Sequence, residues 1–386
     1  MSLKSHVMHT DRCTPAAFRL FTGGRSAPLS RRDALRLLSA AALASVTLGT
    51  AGCSMPKPGA ITLYSSVDSE FLDPVVSLFT RERGLDVLVV GDTEATKTTG
   101  LVQRLIDEKA NPRADVFWSS EALGSVRLSE AGILAPFTAN AAETDLAGSE
   151  RSSWPVDLRD PAKAWYGFAE RARVLVIAKD RVPADKRPRL LTDLITGPHA
   201  AAFTGRIGIA APQFGTTRGH LAALVSESGE AAVAAFIKGL KAQRVRVYPG
   251  NGNVVRAVAE GQIDLGLTDT DDVYSGRRNG WPIDIGWVGG LDDQHRGALL
   301  VPNTIGLVRG SRRVVTALEF VEHVLSGAVQ ELLAASTSGN IPVLPSLRTR
   351  FASLRPPMDA GERSINWTTA AKSSEKALDL WQATFG

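Results

Sequence analysis

The residues best equipped for chemistry are three aspartates, Asp269, Asp271 and Asp272, at the end of the run from Ile263 to Tyr274. Ile263, Leu265 and Leu267 lead into them, the pattern of a buried strand that ends in carboxylates. An unpaired buried charge is very costly, so such a cluster calls for a partner. In an open α/β sheet, ligands bind in the crevice beyond the carboxyl ends of the strands. The cluster therefore points to a site for something cationic or metallic. Neighbouring carboxylates also repel, so without a cation between them one of the pair should hold a raised pKa. The alternative is a plain helix start, where Asp is favoured as N-cap and in the first turn.

Other constellations are weaker. Gly250-Asn-Gly252 precedes a helical pattern but lacks the third glycine and acidic follower of a dinucleotide fingerprint. There is no Walker pattern and no His-Glu-x-x-His. His199, His220, His295 and His323 stand apart from one another, as surface or core histidines do. No serine sits in a nucleophile-elbow sequence. The formal net charge is only +4, with no basic run interleaved with aromatics, so nucleic acid is not expected as a partner.

The elements that would position the aspartates alternate in type. Strands are expected at Ile61 to Tyr64, Leu85 to Val90 and Ala114 to Trp118. Between and after them come helices at Glu70 to Arg83, Thr98 to Lys109 and Ala122 to Ala131. In the first helix Phe71, Val75, Leu78 and Phe79 share a face. This alternation means βαβ units and a parallel sheet. A looser polar stretch covers Thr138 to Asp160. Short strands at Tyr166 to Ala169 and Arg173 to Ala178 read as a crossing point between lobes. A second α/β unit follows: strands Arg206 to Ile209, Arg244 to Val247 and Ile263 to Leu267, with helices Arg218 to Ser226, Ala231 to Leu240 and Val254 to Glu260. Strands near Ile283 to Val288 and Thr304 to Val308, then helices at Val314 to Leu325, Ala328 to Ala335 and Glu375 to Phe385, complete the chain.

The front of the chain reads as an address. Ser30-Arg31-Arg32-Asp33 is a twin-arginine pattern, followed by an apolar stretch from Leu37 to Leu48. A charged region, a short apolar region and small residues make a signal peptide, here residues 1–52. Thr50-Ala51-Gly52-Cys53 is similar to a lipobox, in which Cys53 would be lipidated. Residues 53–59 would be a tether. The other cysteine, Cys13, lies in the signal, so no disulfide framework, Cys-ligated zinc or Cys nucleophile is expected. The expected location is extracytoplasmic, lipid-anchored to a membrane after twin-arginine export.

Taken in order, Leu63-Tyr-Ser-Ser66, Ala114-Asp-Val-Phe-Trp-Ser119, Ser129-Glu-Ala-Gly-Ile-Leu134, Trp165-Tyr-Gly167 with Arg171-Ala-Arg173, Ala257-Val-Ala-Glu-Gly261 and Ile341-Pro342 resemble the ferric-iron-type solute-binding proteins of bacterial ABC importers. The resemblance implies an α/β, two-lobed type II periplasmic-binding-protein fold, with a ligand cleft between lobes joined by hinge strands. Lobe 1 would comprise residues 60–165 and 275–345, lobe 2 residues 166–274, and residues 346–386 a helical segment packed on both. It implies capture by closure, delivery to a permease with its ATPase, and a monomer without enzymatic activity or a required cofactor.

The resemblance also implies site residues. Ser65, Ser66, Arg171, Gly215, Thr216, Thr217 and Asn251 match residues that hold an anion. Asp271 and Asp272 stand where iron binders carry paired tyrosines, with Tyr274 two residues on. Asp68 stands where some relatives place a histidine, and Glu121 lies beside the position of a further acid. With Asp269, these form the ligand or metal side. Hard cations take oxygen ligands, so ferric iron with a synergistic anion is the first expectation. An aminophosphonate, polyamine or thiamine-like solute is the alternative. From other classes, a metal- or carboxylate-dependent extracytoplasmic hydrolase and a sensory or scaffold lipoprotein remain open.

Overall fold

The chain crosses twice between two α/β halves, and those crossings set the geometry of everything else. The computed structural model describes residues 59–92, 99–137 and 154–386. The signal peptide, Cys53, most of the tether and most of the loose polar stretch lie outside the described residues. The first half holds β1 (Ile61–Ser65), α1 (Ser69–Arg83), β2 (Val87–Gly91), α2 (Thr99–Asp107), β3 (Val116–Ser119), α3 (Ala122–Glu130) and β4 (Leu134–Ala135). The second holds β6 (Ile207–Ala210), α4 (Gly215–Ala242), β7 (Arg246–Tyr248), α5 (Asn251–Ala259), β8 (Leu265–Asp269), α6 (Thr270–Arg278) and β9 (Ile283–Trp287). Joining them are β5 (Trp165–Ala178) and β10 (Ala298–Val308). One hydrogen-bonded path runs β2-β1-β3-β10-β5-β8-β6-β7.

β5 was expected as two short strands, because Glu170 and Arg171 interrupt its apolar run. It is instead one continuous strand, buried along its whole length. The charges do not break it because each finds a partner: Glu170 pairs with Arg348, and Arg171 faces Asp269. Residues 165–172 of β5 pair with β10, while Arg173 to Ile177 pair with β8. Within the β5–β10 pairing the register slips at Pro302/Asn303, whose partners are Glu170 and Phe168. Ala169 there takes a φ of 49°, and its carbonyl accepts from Asn303 Nδ2 at 2.7 Å. A proline within a strand removes a ladder donor, and a bulge is where a sheet tolerates that loss.

One boundary differs from expectation. The chain does not leave the second half at residue 275. α6 runs on to Arg278, and β9 then pairs antiparallel with Val174 to Ala178 of β5. Ile283 and Ile285 thereby complete the second-half core. The two helices expected after residue 218 are both present: α4 is broken between them at Gly229, whose φ of 82° and ψ of 164° are not helical. α7 (Val314–Leu325) and α8 (Gly327–Ala335) pack on the first half with α1. Three further helices follow: α9 (Pro345–Arg350), α10 (Trp367–Ala371) and α11 (Ser374–Phe385). α10 touches both α3 and α4, and α11 lies along α4, so the end of the chain spans the two halves.

Candidate functional site

A cleft of about 210 Å³ opens where the halves meet. One wall is built by the first turns of α4, α5 and α6, all entering from the carboxyl ends of strands. It carries Gly215, Thr216, Thr217, Asn251, Asp269, Asp271 and Asp272, with Arg171 of β5 at its edge. The facing wall carries Val67, Asp68, Phe71, Trp118, Ser120, Leu333 and Asn340.

Asp269 is the centre of the first wall. It stands directly opposite Arg173 in the β5–β8 register. Arg173 Nη1 donates to Asp269 Oδ1 at 2.7 Å. Asp269 Oδ2 accepts from Thr216 Oγ1 at 2.5 Å, from Asn251 Nδ2 at 2.9 Å and from Arg171 Nε at 3.4 Å. Thr216 is held in turn by Asn251 Nδ2 at 3.0 Å. Behind Arg173, its Nε donates to Nδ1 of buried His220 at 3.4 Å. Burial and the neighbouring Arg173 push the His220 pKa well below its usual value, so this ring is a neutral acceptor. Burial alone would raise the Asp269 pKa, but Arg173 and Arg171 outweigh it and hold the carboxyl below its ordinary value. Asp269 begins α6 yet makes no side-chain cap to it; its oxygens turn to the other donors.

Asp271 and Asp272 are in the opposite condition. Burial chiefly, reinforced by Asp269 and opposed by Arg171, pushes Asp271 up to about 6. Burial and then the charges of Asp271 and Asp269 push Asp272 well above its usual value. Asp271 has Arg171 Nε at 3.7 Å, and Asp272 accepts from Thr268 Oγ1 at 3.0 Å. An oxygen from each of the three aspartates lies within 4.8 Å of the others. Burial opposes the charge of Arg171, but Asp271, Asp269 and Asp272 outweigh it and raise its pKa. The Arg171 Nη2 donates to the carbonyl of Ser120, which ties the crossing strand to the first half.

Of the expected residues, the cleft brings together Asp68, Arg171, Gly215, Thr216, Thr217, Asn251 and all three aspartates. It does not include Ser65, Ser66, Glu121 or Tyr274. The Ser65 hydroxyl accepts from the Val67 N–H, and the Ser66 hydroxyl from the Ser120 N–H, so both shape loops. Glu121 is buried as the N-cap of α3, accepting from Leu123 and Gly124. Burial raises its pKa despite those bonds. Tyr274 lies one turn deeper in α6, with its hydroxyl 3.5 Å from the Leu354 carbonyl. Its ring rests where a Cβ on Gly339 would sit, 2.8 Å away. No tyrosine or histidine is among the described residues lining the cleft.

Two features were missed. Arg173 is fully buried and is the main partner of Asp269. Its signal was present, because a residue two places after Arg171 shares its face of a strand. The apolar wall of Val67, Phe71, Trp118 and Leu333 had no such signal. Those residues are far apart in the chain and read as core.

A family model described as bacterial extracellular solute-binding protein matches residues 76–354. Among curated proteins, Iron uptake protein A1 of Synechocystis sp. is 28% identical over 285 residues, 71% of this chain and 73% of that protein. The Major ferric iron-binding protein of Neisseria meningitidis is 25% identical over 347 residues, 90% and 97% of the two chains. Iron-bound HitA from Pseudomonas aeruginosa superposes with a TM-score of 0.70 at 22% identity, covering 85% of this chain and all (100%) of that one. AfuA from Actinobacillus pleuropneumoniae, a periplasmic binding protein with exogenous fructose-6-phosphate bound, gives 0.67 at 16% identity, covering 84% and 98%.

Proposed function

The chain belongs to the bacterial extracellular solute-binding proteins, with their two-lobed type II fold, and on that premise we propose that it captures ferric iron for an ABC importer. The observation that carries this reading is the charge deficit around Asp271 and Asp272. Two half-buried carboxylates with raised pKa values share one guanidinium that Asp269 already engages. A hard trivalent cation between them relieves that repulsion with oxygen ligands. Asp68, on the facing wall, is positioned to join them when the halves close about the bulge at Ala169 and Pro302. The curated relatives named for iron uptake or ferric iron binding support the same cargo.

The chemistry required of the protein is binding and release. Closure removes water from the carboxylates and strengthens their hold on a cation. Opening returns water and weakens it. A permease with its ATPase would receive the cargo, and the Arg31-Arg32 signal with Cys53 supports twin-arginine export and a lipid anchor. The apolar side chains of Val67, Phe71, Trp118 and Leu333 favour a second reading, an organic ammonium of the polyamine or thiamine class, whose carbon skeleton they would cover.

Thermal-shift measurements on the mature chain separate the two. Fe(III) supplied as its nitrilotriacetate complex is expected to raise the melting temperature, while putrescine, thiamine and 2-aminoethylphosphonate leave it unchanged. Because no tyrosine lines the cleft among the described residues, the iron-loaded protein should lack an intense phenolate-to-iron band. A rise with an amine and none with iron would replace the first reading by the second.

A further inference from the structure

We propose that Asp269 is a built-in anion: its carboxylate permanently occupies the anion-binding donors of the cleft, so that the cargo cation is captured without a partner anion from solution. For its iron arm this rests on the reading above.

Arg171, Arg173, Thr216 and Asn251 form the kind of donor set that recognises a free carboxylate or phosphate: two guanidinium groups, a hydroxyl and an amide at helix starts. All four point at one group, and that group belongs to the chain. Oδ1 takes Arg173, and Oδ2 takes Thr216, Asn251 and Arg171. Three of these donors arise from elements far from residue 269 in the chain, so their convergence reflects the fold and not local turn geometry. Asp269 and Arg173 are buried, and Arg171 and Thr216 are nearly so. An incoming anion would have to displace a buried, charge-assisted set of bonds, and it would also meet the carboxylates of Asp271 and Asp272. Oxygens of Asp271 and Asp272 lie within 4.8 Å of Asp269, so the internal anion stands beside the cation's place, as a bridging anion would.

Substitution with exogenous replacement tests this. In Asp269→Ala the donors lose their carboxylate, and acetate or phosphate added to the buffer should take its place and raise the melting temperature. The native protein should show no such rise at the same anion concentration. Asp269→Asn keeps the shape and serves where Asp269→Ala fails to fold; phosphate should stabilise it above the native response. In the iron arm, native affinity for Fe(III) should be equal with and without phosphate or bicarbonate, whereas the Asp269 variants should gain at least about tenfold when the anion is present. Stabilisation of the native protein by acetate or phosphate as large as that of the variants would overturn the proposal, as would variants blind to both anions. Iron binding by the native protein that requires an added anion would overturn it too. A protein that takes no iron in any buffer sinks the iron reading, and the anion arm still decides the role of Asp269.

Discussion

On the wall made by α4, α5 and α6, Asp269 and its donors are committed to one another before cargo arrives; on the facing wall, two N–H donors have no partner among the described residues. The first wall carries Asp269 with its full set of donors and Asp271 with Asp272 beside it. The second carries Val67, Phe71 and Leu333, together with the Trp118 indole N–H and the Asn340 amide nitrogen Nδ2, which are buried without a hydrogen-bond partner among the described residues. One wall supplies charge already oriented, which costs no reorganisation when cargo binds. The other supplies an apolar face, which lowers the local dielectric when the halves meet and strengthens every charge interaction between them. Neither wall alone makes a tight site, which is a physical reason for a two-lobed capture protein to place them on opposite sides of a hinge.

The sharpest way to break this contrast is to remove the centre of the committed wall. Asp269→Ala leaves Arg173 buried without its carboxylate partner and takes one of two from Arg171; the loss of one member of a buried pair costs about 3–5 kcal/mol. Urea or thermal unfolding of the full mature chain should register that loss. A change within about 0.5 kcal/mol, the range of ordinary surface substitutions, would mean that the donors are not held by Asp269 and that the wall is not preorganised.

Next in size is the pH response of the empty cleft. The folded-state pKa of Asp271 is raised from 3.8 to about 6, so the folded chain binds more protons than the unfolded chain between those values. Its contribution to stability is therefore fully present below the unfolded pKa and is lost as pH rises through about 6. A shift of this size is worth on the order of 3 kcal/mol. The raised Asp272 adds to it in the same direction. Comparing native protein with Asp271→Asn/Asp272→Asn isolates the effect. The native melting temperature should fall relative to the variant as pH is raised from 4 toward 7, and parallel curves would show that the pair is already compensated. The same double variant should abolish stabilisation by Fe(III), which at a hundredfold excess over Kd is about 2.7 kcal/mol in the native protein. Iron binding by the native protein should weaken as pH falls through the window in which Asp271 gains its proton.

How much of this contrast was legible in the chain follows the same division. The strand from Leu265 to Asp269 ending in carboxylates was readable, because apolar runs and acidic clusters are local patterns. Thr216, Asn251 and Arg171 were readable as donors by type. That they serve Asp269 was not, because the contacts span 53, 18 and 98 positions and depend on how the second half closes on itself. Tyr274 shows the limit of proximity in sequence: two residues beyond Asp272, it is carried by the helix to Gly339 and away from the cleft. Glu170 and Arg171 misled for a related reason. A charged pair looks like a strand break until Arg348 and Asp269, both distant, are seen to neutralise it. The apolar wall was invisible as a wall, since Phe71 and Leu333 obey the same periodicity whether they face a core or a cleft.

The smallest expected effect probes the uncommitted wall. Trp118 lies against Phe168 with ring centroids 5.4 Å apart, and its Nε1 is buried without a partner among the described residues. Trp118→Phe keeps an aromatic ring in that contact and removes the N–H. A buried donor left unsatisfied costs about 1–3 kcal/mol, while the loss of the larger ring costs dispersion and apolar burial of similar size. The two oppose, and the net change in stability of the empty protein should stay within about 1 kcal/mol. For a bare cation held by Asp271 and Asp272, affinity should be unaffected, since an indole N–H has nothing to offer a positive charge. A fall of tenfold or more in Fe(III) affinity on Trp118→Phe would reverse the contrast between the walls. The indole would then be donating to an acceptor atom that arrives with the cargo, and the second wall would be reading the cargo's chemistry as well as excluding water from it.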